Sequence, residues 1–193
     1  MERSAGGAQA LRAIFSLPAL TGSWKDSGGG VYQMPLWGFP IRWDRVCRPD
    51  LIPQGRRALN VLKLGAILNG EAGIEPSIHA LMVYNANPVS NSTETESIER
   101  GLAREDLFTV VSEQFVTDTA RYADILLRAT MAAEHDDMMF SQGHFFTLNQ
   151  RAIEPPGETV SNAELFRRLA KRFGVTEPQC AMSEAELMKW YLD

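Results

Sequence analysis

The sequence predicts an α/β fold: a partial doubly wound parallel sheet with flanking helices and a long irregular N-terminal segment. Two observations predict it. Three short apolar runs, Ala80–Tyr84, Leu107–Val111 and Ile125–Leu127, have strand length. The first two are rich in Val and aromatics and bounded by turn or cap residues. Between them, Thr93–Glu105 places Ile98 and Leu102 four apart among charges, which is helical spacing. Strand, helix, strand at this separation is a βαβ unit, so the strands should be parallel. The expected sheet contains 80–84, 108–112 and 125–128, with helices 93–104 and 162–173 packed on it and a short helical link at Thr117–Ala123. Open parallel sheets bind ligands beyond the carboxyl ends of their strands. Those ends carry Asn85-Ala86-Asn87-Pro88, Ser112-Glu113-Gln114 and Arg128-Ala129-Thr130, all polar and suited to a nucleotide-like ligand.

Composition sets the frame for these elements. The 193 residues, 45 % hydrophobic and 22 % charged, describe a soluble globular chain able to bury one good core. Two regions divide it: 1–75, helical then irregular, and the α/β lobe 76–193. The balance of 19 basic against 24 acidic residues, net −5, argues against a nucleic-acid or anionic-membrane surface. The two cysteines, Cys47 and Cys180, lie far apart with no CxxC, so they build neither a disulfide framework nor an iron–sulfur cluster. They read as inert thiols of a reducing compartment. No apolar run approaches the ~20 residues of a membrane span. Glu2, Gln9 and Arg12 interrupt any signal-peptide core, so a cytoplasmic location is expected.

From the start, Ala8–Leu17 has Leu11, Ile14 and Phe15 on one helical face, and Pro18 should end or bend the helix. Gly28-Gly29-Gly30 permits positive φ and close backbone approach. It reads as a flexible turn or a phosphate cradle, but no Lys-Ser pair or helix start follows it. Gly30–Gln54 holds Pro35, Pro40, Pro49 and Pro53 and, with Trp24 just before it, three tryptophans: Trp24, Trp37 and Trp43. Such aromatics face a substrate or, more commonly, bury against a body or partner domain. Ala58–Leu68 is apolar nearly all round and fits a buried helix or a strand followed by a helix. Asn69-Gly70 closes it.

Glu134-His135-Asp136-Asp137 has the wrong spacing for a metal site. HExxH is absent, and His79 and His144 are distant. It reads as a solvated loop with an Asp capping the next turn. A Ser112/His135/Asp124 triad lacks a G-x-S-x-G elbow. Phe145–Asn149 is a short strand, and Glu154-Pro155-Pro156-Gly157 a turn. Ser161-Asn162-Ala163-Glu164 is a capping box ahead of Leu165, Leu169 and Phe173, with Lys171 and Arg172 suiting the helix dipole and Gly174 stopping the helix. Ser183–Glu186 repeats the box before Leu187, Trp190 and Tyr191.

Four segments in order are V-Y-N-A-N-P (83–88), R-G-L-A-R-E-D-L-F-T-V-V-S-E-Q-F (100–115), T-D-T-A-R-Y-A-D-I-L-L (117–127) and E-H-D (134–136). Their order and spacing resemble the molybdopterin-dependent oxidoreductases related to dimethyl sulfoxide reductase, formate dehydrogenase and nitrate reductase. The resemblance runs from about Ala10 to about Gly174, most of this chain but a minor part of a typical member. An L-T-G-x-W…G-G-G stretch near the start is similar to one beside the family's cofactor cleft. The resemblance implies a molybdenum ion held by two molybdopterin guanine dinucleotides, with this chain as part of one dinucleotide-binding lobe. Carried over motif by motif, it implies dinucleotide contacts from Asn87 with Asn85 beside it, a nucleoside end at Ser112 and Glu113, and further contacts from His135 and Asn162. Two positions depart from the pattern: Asn162, where several relatives carry Asp, and Arg128, where proline is usual.

The resemblance supplies no counterpart here to the iron–sulfur-binding N-terminus, the segment bearing the metal ligand, or the C-terminal cap. No residue is assigned as catalytic, and none as a metal ligand. Two classes of function therefore stand. One is a fragment or split part of a molybdopterin-dependent oxidoreductase, redox-active only with the missing lobes as partners. The other is a stand-alone, non-catalytic α/β nucleotide-binding or interaction module. Self-association through apolar surface such as the Trp37–Trp43 region is also expected.

Overall fold

A computed structural model describes residues 5–31, 42–140 and 146–192. Contacts group the chain into two compact units, residues 1–39 with 140–145 and residues 40–139 with 146–193.

The described part of the first unit is helix α1 (Gly7–Thr21) and a 3-10 turn, Ser23–Lys25. The helix runs through Pro18 rather than ending there. Proline lacks only its own N–H, and the helix stops at Gly22, left-handed at φ 72°, whose N–H donates to the Pro18 carbonyl. Leu11 and Phe15 are half-buried, while Ile14, Leu17 and Leu20 are exposed. The triple glycine folds back on Trp24. A Cβ on Gly30 would lie 2.6 Å from the Trp24 ring, so packing explains a glycine there.

The second unit holds the sheet. Strands β1 (Ala80–Tyr84), β2 (Phe108–Glu113) and β3 (Ile125–Arg128) form a parallel sheet in that order. Ala80 pairs Phe108 and Tyr84 pairs Ser112; Val110 pairs Ile125 and Glu113 pairs Arg128. The predicted parallel sheet is thus present. The helix expected over 93–104 is present as α5 (Thr95–Leu102), and a further short helix, α4 (Pro88–Asn91), precedes it in the crossover from β1 to β2. Pro88 starts α4 where its missing N–H costs nothing. Glu94, left-handed at φ 64°, then separates α4 from α5. The link to β3 is a 3-10 turn, Ala120–Tyr122.

Side chains alternate across a strand, so one face of this sheet presents Leu81, Val83, Thr109 and Val111. That face is the packed one. Val83, Val111 and Ala120 form one buried cluster. Leu68, Val89, Ile98, Leu102 and Leu107 form the other, with Leu81 packed against both. Leu68 comes from α3 (Leu64–Leu68), which answers the question left open by 58–68: a 3-10 turn at Val61–Lys63 leads into a short buried helix, and no strand forms. Leu59, Val61 and Leu62 remain exposed.

Two strands, β4 (Asp137–Phe140) and β5 (Phe146–Asn149), form a second, two-stranded sheet. The sequence signalled β5 but not β4, where Glu134–Asp137 reads as loop; Phe145 and His144 lie outside the described residues, as does Trp37. Helix α6 (Asn162–Arg172) has its predicted cap, the Ser161 hydroxyl accepting from Glu164 N–H. Glu164 does not close the box; its carboxylate takes Arg167 and Arg168 instead. The second box does close: Ser183 Oγ accepts from Glu186 N–H while Glu186 accepts from Ser183 N–H, opening α7 (Glu184–Leu192). Helix α2 (Trp43–Cys47) lies against α7, with Arg45 donating to the Trp190 carbonyl and stacked 5.3 Å over its ring. Among the described residues no helix is long and apolar enough to cross a membrane.

Candidate functional site

The carboxyl edge of the three-stranded sheet opens into a cleft of about 710 Å³. Each strand delivers a polar turn to it. After β1 the chain turns through Asn85 at φ 52°, a conformation Asn tolerates better than most residues. Asn87 then takes the N-cap position of α4, yet its side chain does not cap. Its Oδ1 accepts from the Thr119 hydroxyl at 2.6 Å, and its Nδ2 donates to Ser90 Oγ at 3.1 Å. The cap comes from across the sheet: Thr119 Oγ1 accepts from Val89 N–H at 3.1 Å.

At the end of β2, Ser112 is buried and Glu113 half-buried. Glu113 Oε1 accepts from Gln114 N–H at 2.8 Å, and Gln114 Nε2 donates to the Thr130 carbonyl at 2.8 Å, tying the β2 and β3 turns together. Beyond β3, Ala129 makes an isolated parallel bridge with Val160. Val160 N–H donates to the Arg128 carbonyl and Thr130 N–H to the Val160 carbonyl. This bridge brings the first turn of α6 to the sheet edge. Asn162 Nδ2 there donates to Asn85 Oδ1 at 2.9 Å, and Ser161 donates to Glu184.

His135 reaches the cleft from the loop before β4. Its carbonyl accepts from Asn149 Nδ2, its Nε2 lies 3.9 Å from Asp137, and its Nδ1 is buried without a hydrogen-bond partner. Asp136 accepts from Arg151 N–H at 2.7 Å.

The six residues singled out from the sequence, Asn85, Asn87, Ser112, Glu113, His135 and Asn162, all line this one cleft. Asp124, weighed with Ser112 and His135 as a triad, sits at the opposite end of the strands, its Oδ2 accepting from Thr109 N–H at 2.6 Å. Thr130, already marked as a strand-end residue, and Asp137 also line it, and residues the sequence did not flag, among them Asn91 and Glu184, complete the wall. Glu184 comes from the far end of the chain and carries no local signal. Thr119 does lie within a quoted motif, but only the fold shows that it holds Asn87.

Among the described residues no lysine or arginine lines the cleft, while Glu113, Asp136, Asp137 and Glu184 do. A second cavity of about 440 Å³ shares His135, Asp136, Ser161 and Glu184 and adds Arg151 and Arg167. Those two guanidiniums pair with Glu154 and Glu164. Among the described residues no group of three or more His, Cys, Asp or Glu is placed to hold a metal ion.

Hydrogen bonding to Arg168, then Arg167, holds the Glu164 carboxyl below its ordinary value against opposing burial. A lowered folded pKa contributes stability that is complete above the unfolded glutamate value of about 4.3 and lost as pH falls through the folded value. Glu164→Gln should therefore destabilise at neutral pH, with the gap to wild type closing below about pH 4. Urea unfolding at stepped pH checks this; a gap constant from pH 7 to 3 would contradict it.

Residues 1–172 match the family model described as molybdopterin oxidoreductase. The chain belongs to this family. Membership implies a pterin-bound molybdenum cofactor. The chain is 40 % identical over 190 residues to the probable oxidoreductase YoaE of Bacillus subtilis (strain 168), covering 97 % of this chain and 27 % of that protein. It is 27 % identical over 185 residues to the F420-dependent formate dehydrogenase subunit alpha of Methanocaldococcus jannaschii, covering 87 % and 27 %. Acetylene hydratase from Pelobacter acetylenicus shares the fold at a TM-score of 0.50 and 23 % identity, over 65 % of this chain and 20 % of that one. The chain thus spans about a quarter of the length of these curated relatives.

Proposed function

We propose that this chain supplies one wall of a molybdopterin guanine dinucleotide site in a molybdopterin-dependent oxidoreductase, with redox chemistry only where the rest of the family's length is present. The observation that carries this reading is the convergence of Asn85, Asn87, Ser112, Glu113, His135 and Asn162 on one cleft at the carboxyl edge of a parallel sheet.

The lining also bears on which end of a dinucleotide fits. Guanine offers N–H donors and ribose offers hydroxyls, and a carboxylate accepts from either. Glu113 has one lone pair engaged by Gln114 N–H and others free for a ligand. The buried, unpartnered Nδ1 of His135 is a further polar group wanting a partner. Pyrophosphate fits this lining poorly, since among the described residues four carboxylates and no cation face the cleft. The residues therefore suit the nucleoside end, and charge compensation for the phosphates would come from outside this cleft. The molybdenum–pterin group, when bound, supplies the electron and atom transfer; this chain's residues bind and orient.

The test is a calorimetric titration of GDP against the chain and against Glu113→Ala. Binding should be weak, because this chain spans about a quarter of its relatives' length and supplies only one wall, while affinity needs most of a small ligand's surface buried. Glu113→Ala should weaken it by roughly 10–100-fold, the worth of one or two hydrogen bonds to a charged group. Tight binding indifferent to Glu113→Ala would move the site elsewhere.

A further inference from the structure

Helix α6 carries Glu164, Arg167, Arg168 and Lys171 at helical spacing, so the four form one stripe along one face. Past the helix the chain turns back on this stripe. Gly174, left-handed at φ 71°, ends the helical course, and Val175 N–H donates to the Ala170 carbonyl. The chain then returns through the 3-10 turn Pro178–Ala181. Two ties hold the return: Arg167 Nη2 donates to the Met182 carbonyl at 2.6 Å, and Glu177 pairs with Arg48 at 3.2 Å. Between helix and return lies a groove of about 580 Å³, within the range of roughly 300–1,000 Å³ usual for small-molecule sites. Among the described residues it shares no lining residue with the cleft. Its returning wall also lies past residue 172, where the match to the family model ends.

The two walls differ in chemistry. The return offers apolar surface from Val175, Pro178 and Ala181, with the half-buried Cys180 thiol among them. The helix offers charge. One carboxylate, Glu164, is shared by two guanidiniums, Arg167 and Arg168. Arg168 gives it only Nε, which leaves its terminal nitrogens for another acceptor. Glu177, the other acid of the groove, is engaged by Arg48. Among the described residues no carboxylate pairs with Lys171. The stripe therefore keeps uncompensated positive charge, in a chain whose net charge is −5. An apolar wall facing such cations suits a molecule with an anionic end and an apolar body. The anion gains charge-assisted hydrogen bonds, and the body loses its contact with water. A bare inorganic anion or a neutral hydrocarbon would use only one wall.

We propose that this groove is a binding site for a small amphipathic carboxylate, its charged end against Lys171 and Arg168 and its hydrocarbon body against Val175, Pro178 and Ala181. The site is independent of the cleft and holds whether or not the cleft takes guanine nucleotide.

Cys180 makes the test direct, because in a Cys47→Ser background it is the one thiol of the chain. The probe is 4-phenylbutyrate. 4-Phenylbutanol supplies the same body without the charge, and inorganic phosphate the charge without the body. Millimolar phenylbutyrate should slow modification of Cys180 by N-ethylmaleimide, an uncharged reagent, and the concentration dependence gives its affinity. The alcohol should bind about tenfold more weakly, the worth of one hydrogen bond to a charged group. Phosphate should give no protection. Lys171 is exposed, so Lys171→Gln leaves the fold intact and should bring phenylbutyrate close to the alcohol's affinity. Val175→Asp should weaken both organic probes. Absence of protection by phenylbutyrate, or equal protection by the alcohol, would overturn the proposal. So would phosphate protecting as well as phenylbutyrate, or a Lys171→Gln protein that binds phenylbutyrate as wild type does.

Discussion

Leu68→Ala should lower the free energy of unfolding by about 2–5 kcal/mol, the usual cost of emptying a buried leucine site. Leu68 is fully buried at the end of α3, where it joins Ile98, Leu102 and Leu107. It also faces a glycine across the helix pair. A Cβ built on Gly101 of α5 would stand 2.5 Å from Leu68 Cβ, and one on Gly65 of α3 would stand 2.5 Å from Ser97 Oγ. The two helices thus meet through two glycines. This reverses a familiar sign. In an open helix Gly→Ala gains up to about 1 kcal/mol. Here Gly101→Ala should instead cost about 1–3 kcal/mol through overpacking. Adding Leu68→Ala should not relieve it, since alanine keeps the clashing Cβ; Leu68→Gly should relieve it in part. Urea midpoints for the single and double variants test the coupling directly. A Gly101→Ala protein as stable as wild type would show that the helices can separate freely.

Much of this was legible in the sequence where one physical signal acted alone. Short Val-rich runs bounded by caps gave the strands of the parallel sheet, and Ser161 with its helical spacing gave α6. Signals failed where the cue was too short or was not local. Ile98 and Leu102 marked α5, but the four-residue α4 that Pro88 opens ahead of it is too short to show a period. Strand β4, Asp137–Phe140, went unread because its pairing with Phe146–Asn149 has no local trace. The cleft was readable in its strand-end residues, which follow from parallel topology. It was not readable in Glu184, whose arrival depends on how α7 packs, and although Asn87 was named, nothing local showed that its amide is held by Thr119 and Ser90. Capping box rules named Glu164 as a partner of Ser161 but could not weigh the two arginines that outbid the backbone for it.

Thr119→Val should reduce both stability and guanine nucleotide affinity, although Thr119 does not line the cleft. The hydroxyl is completely buried and makes two bonds at once, accepting from Val89 N–H and donating to Asn87 Oδ1. Valine keeps the shape and removes both. Val89 N–H belongs to the first turn of α4, where a helix has no partner of its own for its amides. Leaving that buried N–H and the Asn87 carbonyl unpaired should cost about 1–3 kcal/mol for each group that water cannot reach. The second effect follows from position. Asn87 is held between Thr119 and Ser90, so freeing one side lets its amide swing and spends binding energy on reordering it. GDP affinity should fall several-fold, with the enthalpy of binding less favourable. Thr119→Ser, which keeps the hydroxyl, should restore affinity to near wild type while losing only the packing of one methyl, about 1 kcal/mol. Thermal unfolding and calorimetry on the three proteins separate the two roles. If Thr119→Val loses stability but binds GDP as wild type does, Asn87 is a structural latch for α4 and its amide takes no part in the ligand site.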